Sequence, residues 1–187
     1  MGQILIIVMI GLLVVNYLRI SYGIAVKNHK NSFIAWLLWS IMDGIGLYGT
    51  LKKDEDPTLM IVFIFGTVLV AFTLLVKRQI VWTKVEFMIC IIVGICIYVS
   101  QTASPEGIVY ATGIALFCAG VPYLKDLYYA ELVQKESITT AYIFLAALLL
   151  STTVTYLAEQ LIIIPLLCSL YWIAALVLMK RLKVAAH

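Results

Sequence analysis

Hydrophobic positions in this chain come in long unbroken runs, and polar positions collect in the short gaps between them. Runs of roughly 16–22 residues recur, the length a helix needs to cross a hydrocarbon core of about 30 Å. They cover about 3–21, 32–51, 57–76, 85–101, 107–129, 138–157 and 160–179. Each predicts a membrane-spanning helix, since a backbone inside lipid must satisfy its own hydrogen bonds. Pro57 stands at the first turn of the third run, where a missing N–H costs nothing. Pro122 lies inside the fifth run and Pro165 near the start of the seventh. The predicted fold class is all-α, a polytopic bundle of seven transmembrane helices. The gaps are too short for a soluble domain, so residues 1–187 read as a single integral-membrane domain.

The second run, Ser32 to Leu51, carries a carboxylate in its middle: SFIAWLLWSIMDGIGLYGTL. Trp36, Trp39 and Asp43 are spaced i, i+3, i+7 and share one helix face. Asp43 lies roughly 16 Å from the start of its run at about 1.5 Å per residue, too deep for a short side chain to reach water. An acid there is costly and faces a partner or a wet cavity. Asp43 is therefore the leading candidate to line a solute path and to couple a proton to transport. Asn16, Thr67 and Tyr48 are its candidate hydrogen-bond partners, and Asn16 and Thr67 are also candidates for the path. The same i, i+3, i+7 spacing returns in the sixth run at Thr152, Thr155 and Glu159. Thr152 and Thr155 are the expected opposite wall, with Trp172, Ser169 and Tyr171 as further wall candidates. Glu159 is expected at the outer surface.

Charge orients the runs. Of the thirteen Lys and Arg residues, eleven fall after the first, third, fifth and seventh runs and two, Lys52 and Lys53, after the second. That alternation fits seven spans, and the positive-inside rule then places the N-terminus outside and the C-terminus in the cytoplasm. The expected location is the plasma membrane. The composition agrees: 64% hydrophobic, 12% charged, mean hydropathy +1.06, against about half and a quarter in soluble domains. The first run lacks a basic leader and an A-x-A-like site, and is expected to be a retained span. The net charge of +3 is spread over several loops, so no nucleic-acid partner is expected. Cys90, Cys96, Cys118 and Cys168 all lie inside apolar runs and read as packing residues, with no metal site or cofactor expected.

Runs one to three overlay on runs five to seven at an offset of about 106. Arg19 falls on Lys125, Tyr22 on Tyr128, Ala35 on Ala141 and Trp36 on Tyr142. With two more residues in the second copy, Pro57 meets Pro165. Three spans, a lone fourth and three more leave the two triplets in the same orientation, a parallel repeat about the membrane normal. The expected units are residues 1–78, a linker helix in 79–104, and residues 105–183.

Short motifs carry a family resemblance. Gly120-Val121-Pro122-Tyr123-Leu124-Lys125-Asp126 resembles the Pro-Gln element near the cytoplasmic end of a repeat's first helix, with Tyr123 where Gln is usual. The matching residues of the first repeat, Asn16-Tyr17-Leu18-Arg19, have no proline. Trp36-Leu37-Leu38-Trp39-Ser40 resembles the start of the second helix in bacterial PQ-loop-like proteins, and Tyr48-Gly49 resembles its end in SWEET repeats. The chain thus resembles the SWEET and PQ-loop superfamily of small seven-helix transporters, PnuC-like carriers included. The resemblance implies two triple-helix bundles around a central path, a solute near the midplane, and alternating access through bending at the proline. It makes Pro122 and Tyr123 the expected hinge, and Arg19 and Asp126, at the ends of the two first helices, a candidate inner gate. Gly44-Ile45 and Thr67 stand where sugar carriers place a Trp and an Asn, so a sugar is not the expected solute.

Other classes fit less well. A retinal protein needs a lysine inside its seventh span, and Lys180 is only at its end. A membrane protease or metalloenzyme needs a deep set of His, Asp, Glu, Ser or Lys, whereas His29 and His187 lie in a loop and at the terminus. The chain is not expected to be an enzyme. The expected function is a small polar-solute transporter in a lipid bilayer, with a homo-oligomer as a candidate assembly. The alternative is a non-transporting receptor or assembly subunit on the same fold.

Overall fold

The computed structural model describes residues 2–52, 56–102, 105–157 and 163–184. Among them are eight α-helices: α1 Gly2–Lys27, α2 Phe33–Lys52, α3 Thr58–Val76, α4 Lys84–Thr102, α5 Pro105–Ala119, α6 Val121–Tyr129, α7 Lys135–Leu157 and α8 Ile163–Met179. A two-residue parallel pair, β1 Leu132–Val133 and β2 Lys183–Val184, ties the connection after α6 to the chain after α8. The fold class is all-α, with that pair as its only strand ladder among the described residues.

Each apolar run forms a helix, and the fifth forms two. Pro122 has no N–H to continue the i→i−4 ladder, and its ring crowds the preceding turn. The chain responds one step earlier: the Gly120 N–H bonds Phe117 O at 3.1 Å, a tightened i→i−3 turn, and α6 restarts at Val121. Asn16 stands 106 residues before Pro122, and α1 runs through it unbroken. α1 also continues past the expected end near Tyr22 to Lys27, because Ile24 still packs in the core, and Asn28 then ends it at φ 55°.

Local chemistry starts the other helices. The Ser32 hydroxyl accepts from the Ala35 N–H at 3.3 Å, capping α2. Asp56 accepts from the Thr58 N–H at 2.9 Å ahead of α3, and the Thr58 bonds hold this exposed carboxyl below the usual carboxylate range. Thr83 and Glu86 form a capping box on α4, with the Thr83 N–H 2.9 Å from Glu86 Oε2.

In each of two helix sets, the triplets α1–α3 and α5–α8, the last helix lies against the others. α3 lies against both α1 and α2, and α8 lies against α5, α6 and α7. Between triplets, α1 meets α7 and α2 meets α5. α4 packs chiefly on α5. Positions offset by 106 share burial in part: Ala35 and Ala141 are fully buried, Tyr22 and Tyr128 both exposed. Trp36 and Tyr142 differ, the first buried in the core and the second half-exposed.

The outer faces are apolar. On α3 the inward stripe is small, with Gly66, Thr67, Val70, Ala71 and Leu74. The outward stripe is Ile61, Phe65, Val68, Phe72 and Leu75, with Phe65 72% exposed. In water such a stripe is a liability; in hydrocarbon it is a solvated surface. Among the described residues two helices, Ile4–Lys27 and Thr58–Val76, are long and apolar enough to cross a membrane.

Candidate functional site

The face of α2 read from the sequence points into the bundle. Trp36, Trp39 and Asp43 all line one internal chamber of about 80 Å³, room for several waters at about 10–15 Å³ of accessible space each. The chamber lies between the two triplets. α1 contributes Tyr17 and α3 contributes Phe63 and Thr67; α5, α7 and α8 supply the far side.

Asp43 is partnered across the α2–α3 contact. The Thr67 Oγ1 lies 3.0 Å from Asp43 Oδ2 and 2.9 Å from the Phe63 carbonyl one turn back. A hydroxyl has one proton to donate and lone pairs to accept. When Asp43 is ionised, Thr67 donates to it. When Asp43 is protonated, Asp43 donates to Thr67 and Thr67 donates to Phe63 O. The same three atoms therefore satisfy both protonation states without moving. Tyr17 and Cys168 lie within electrostatic reach of the same carboxyl.

The far wall is apolar. On α7 it is Phe144 and Leu148, not the threonines. Thr152 stands one turn beyond Leu148, and its hydroxyl bonds back to Leu148 O at 2.8 Å. The threonine face thus serves its own helix, as hydroxyls in spans commonly do. The side chain of Thr155 and all of Glu159 lie outside the described residues. Ser169 is likewise turned to its own helix, bonding Pro165 O at 2.8 Å.

Aromatic rings knit the chamber. Trp36 and Trp39 meet edge to face with centroids 5.0 Å apart, and Tyr17 meets Phe144 the same way at 5.3 Å. Phe144 and Trp172 stack at 4.7 Å with planes 16° apart. Trp36 and Trp172 also line a second cavity of about 20 Å³ with Arg19, His29, Tyr123 and Thr140. These two indoles are the residues that the two cavities share. The Trp36 Nε1 is buried there without a hydrogen-bond partner.

The break in the fifth run is stitched to the chamber. Gly120 bypasses the Leu116 carbonyl, and the Trp39 indole donates to it at 3.1 Å. The Tyr171 hydroxyl donates to Gly120 O at 3.2 Å, and its ring rests on Gly120 where a Cβ would stand. Gly66 receives the Tyr17 ring in the same way. Close approach, and not backbone angle, requires glycine at both positions.

Other expected residues scatter. Asn16 is fully buried but does not line the chamber; its Nδ2 donates to Thr140 O at 3.2 Å, joining α1 to α7, and its Oδ1 has no partner. Pro122 is buried at the break and Tyr123 lines the smaller cavity. Arg19 and Asp126 form no ion pair. Arg19 borders the smaller cavity, while exposed Asp126 lies 3.7 Å from Lys125 Nζ. Lys125 instead bridges to buried Glu86, joining the linker helix α4 to α6. Sequence reasoning missed Glu86, Tyr17 and Phe144. Thr83-x-x-Glu86 is a capping-box signature, and Tyr17 stands 106 residues before Tyr123. Phe144 has no such mark.

No family model, curated protein or solved structure matches the chain.

Proposed function

We propose that the chain is a small-solute carrier with seven membrane-spanning helices in a 3+1+3 plan, working by alternating access around the Asp43 chamber. The observation that carries this reading is the chamber itself: a carboxyl at mid-helix depth, between the two helix triplets. Acids at membrane depth mark solute and proton paths. The β1–β2 pair supports an even number of crossings between the connection after α6 and the chain after α8, in keeping with an N-out, C-in topology. The family resemblance supports the same plan.

In this conformation the chamber and the smaller cavity share Trp36 and Trp172. Opening on that side requires the indoles to part. The break at Gly120 supplies the flexible joint, since its turn lacks the continuous i→i−4 ladder. Water entering there would reach the unpartnered Trp36 Nε1 and lower the cost of the open state. The two-way bond of Thr67 lets Asp43 gain or lose a proton in place, so a proton can accompany the solute.

The test is counterflow in proteoliposomes containing the purified protein. Saturable uptake of a labelled small polar solute, absent from protein-free vesicles, is the expected result. Absence of uptake for every solute that raises the protein's thermal stability would leave the non-transporting use of the fold in its place.

A further inference from the structure

The chamber's chemistry points to a class of ligand. Eight of its thirteen lining residues are aromatic, and Asp43 is its one charged group, with no Lys, Arg or His among them. Arg19 borders the smaller cavity and does not line this one. A negative centre ringed by aromatic side chains attracts cations through both the carboxylate and the ring quadrupoles. An anion meets only repulsion there.

Hydrogen-bond capacity narrows the class. The polar tips of two rings are already engaged: the Trp39 indole on Leu116 O and the Tyr171 hydroxyl on Gly120 O. A polyhydroxyl solute would bury groups that the remaining Asp43, Thr67 and Tyr17 cannot all pair. A bare divalent metal needs six or more oxygen ligands, far more than one carboxylate and a hydroxyl supply. A primary ammonium carries three N–H donors into walls that are mostly ring and aliphatic. A quaternary ammonium carries none and a tertiary one a single N–H, which Asp43 accepts, and the alkyl sheath of either suits walls such as Phe63 and Leu148. Resting on the carrier reading of the chamber, we infer that the Asp43 cage binds a small monovalent alkylated ammonium, tertiary or quaternary, with Asp43 as counter-ion and the aromatic rings as its walls.

The test compares charge at constant shape. Purified protein in detergent is titrated with tetramethylammonium chloride, with choline chloride, and with 3,3-dimethyl-1-butanol, in which carbon replaces the choline nitrogen. Binding is followed by tryptophan fluorescence and calorimetry at fixed ionic strength. Saturable binding of either cation, with the neutral alcohol weaker by about tenfold or more, is expected. Asp43→Asn, which keeps an acceptor for Thr67, should weaken cation binding by about tenfold while leaving alcohol binding unchanged. No saturable binding of either cation, or an alcohol that equals choline, overturns the inference, and because this comparison uses the native protein it does not depend on the variant folding. Counterflow with labelled choline separates the two claims. Binding without uptake keeps the cation site and sinks the carrier reading; uptake of a neutral solute by a protein that binds neither cation does the reverse.

Discussion

The indole Nε1 of Trp39 donates to the carbonyl oxygen of Leu116 across a 3.1 Å contact between α2 and α5. That carbonyl lacks the Gly120 N–H it would take in a continuous helix, because Gly120, in a tight turn before Pro122, bonds Phe117 instead. A residue of α2 thus supplies the hydrogen bond that the break after α5 takes away. Trp39→Phe keeps the ring and loses the donor. It should destabilise the protein by about 1 kcal/mol, within the range of buried hydrogen bonds in membrane bundles, as read by denaturant titration in mixed micelles. Unchanged stability would mean that the carbonyl finds another donor.

Gly120→Ala places a methyl group where the Tyr171 ring lies. Overpacking of this kind costs about 1–3 kcal/mol. Tyr171→Phe, which loses only the bond to Gly120 O, should cost less. Gly120→Ala combined with Tyr171→Leu should recover part of the loss, and the double-mutant cycle measures the coupling. Strict additivity would show that ring and glycine do not act as a unit.

Pro122→Ala restores an N–H beneath Cys118 O and permits a continuous fifth helix. Pro122 stands in the first turn of α6, where a missing N–H costs little. The gain therefore comes only from fusing α5 with α6. It is smaller than the roughly 3 kcal/mol of an interior proline and should show as a modestly higher melting temperature. If only the closed conformation gains, each 1.4 kcal/mol of that gain lowers uptake by about tenfold. A variant that melts higher but transports at the native rate would remove Pro122 from the hinge.

Asp43→Asn retains the Thr67 contact and removes the exchangeable charge. Solute uptake driven by an imposed pH gradient should disappear, while exchange without a gradient persists but needs about tenfold more cation for half-saturation. Thr67→Val removes the hydroxyl that serves both protonation states. It should destabilise the bundle by about 1–3 kcal/mol through the unpaired carboxyl, measured by the same denaturant titration. Gradient-driven uptake that survives in Asp43→Asn would remove the proton role from this residue.

Glu86 on α4 and Lys125 on α6 are linked outside the chamber. Glu86 is almost wholly buried, while Lys125 remains about a fifth exposed, so the pair is partly screened. Glu86→Ala should cost about 1–2 kcal/mol. Glu86→Ala with Lys125→Met should cost less than Glu86→Ala alone, because no unmatched ammonium is left behind. A double variant as unstable as the sum of both singles would make the linkage incidental.

Helix order was legible from apolar run length, since a run of about twenty residues has few other ways to satisfy its backbone. The number was not, because the run expected as one helix over 107–129 forms two. The place of Asp43, Trp36 and Trp39 on one face followed from helical period. What lies across from that face was not legible. Period put Thr152 on the inward side of α7, yet which turn of α7 meets Asp43 depends on how far the helices slide past one another. That slide is set by packing: Tyr17 seats on Gly66, Tyr171 on Gly120, and Phe144 stacks on Trp172. The result brings Phe144 and Leu148 level with the acid and leaves Thr152 a turn beyond. The pairing of Lys125 with Glu86 in place of Arg19 with Asp126 has the same origin. Charge sign is written in the sequence, but the partner is whichever opposite charge the helix contacts bring within reach. Sequence alone determined the order of the helices and the buried acid; only the tertiary contacts decided that the acid sits in an aromatic cage.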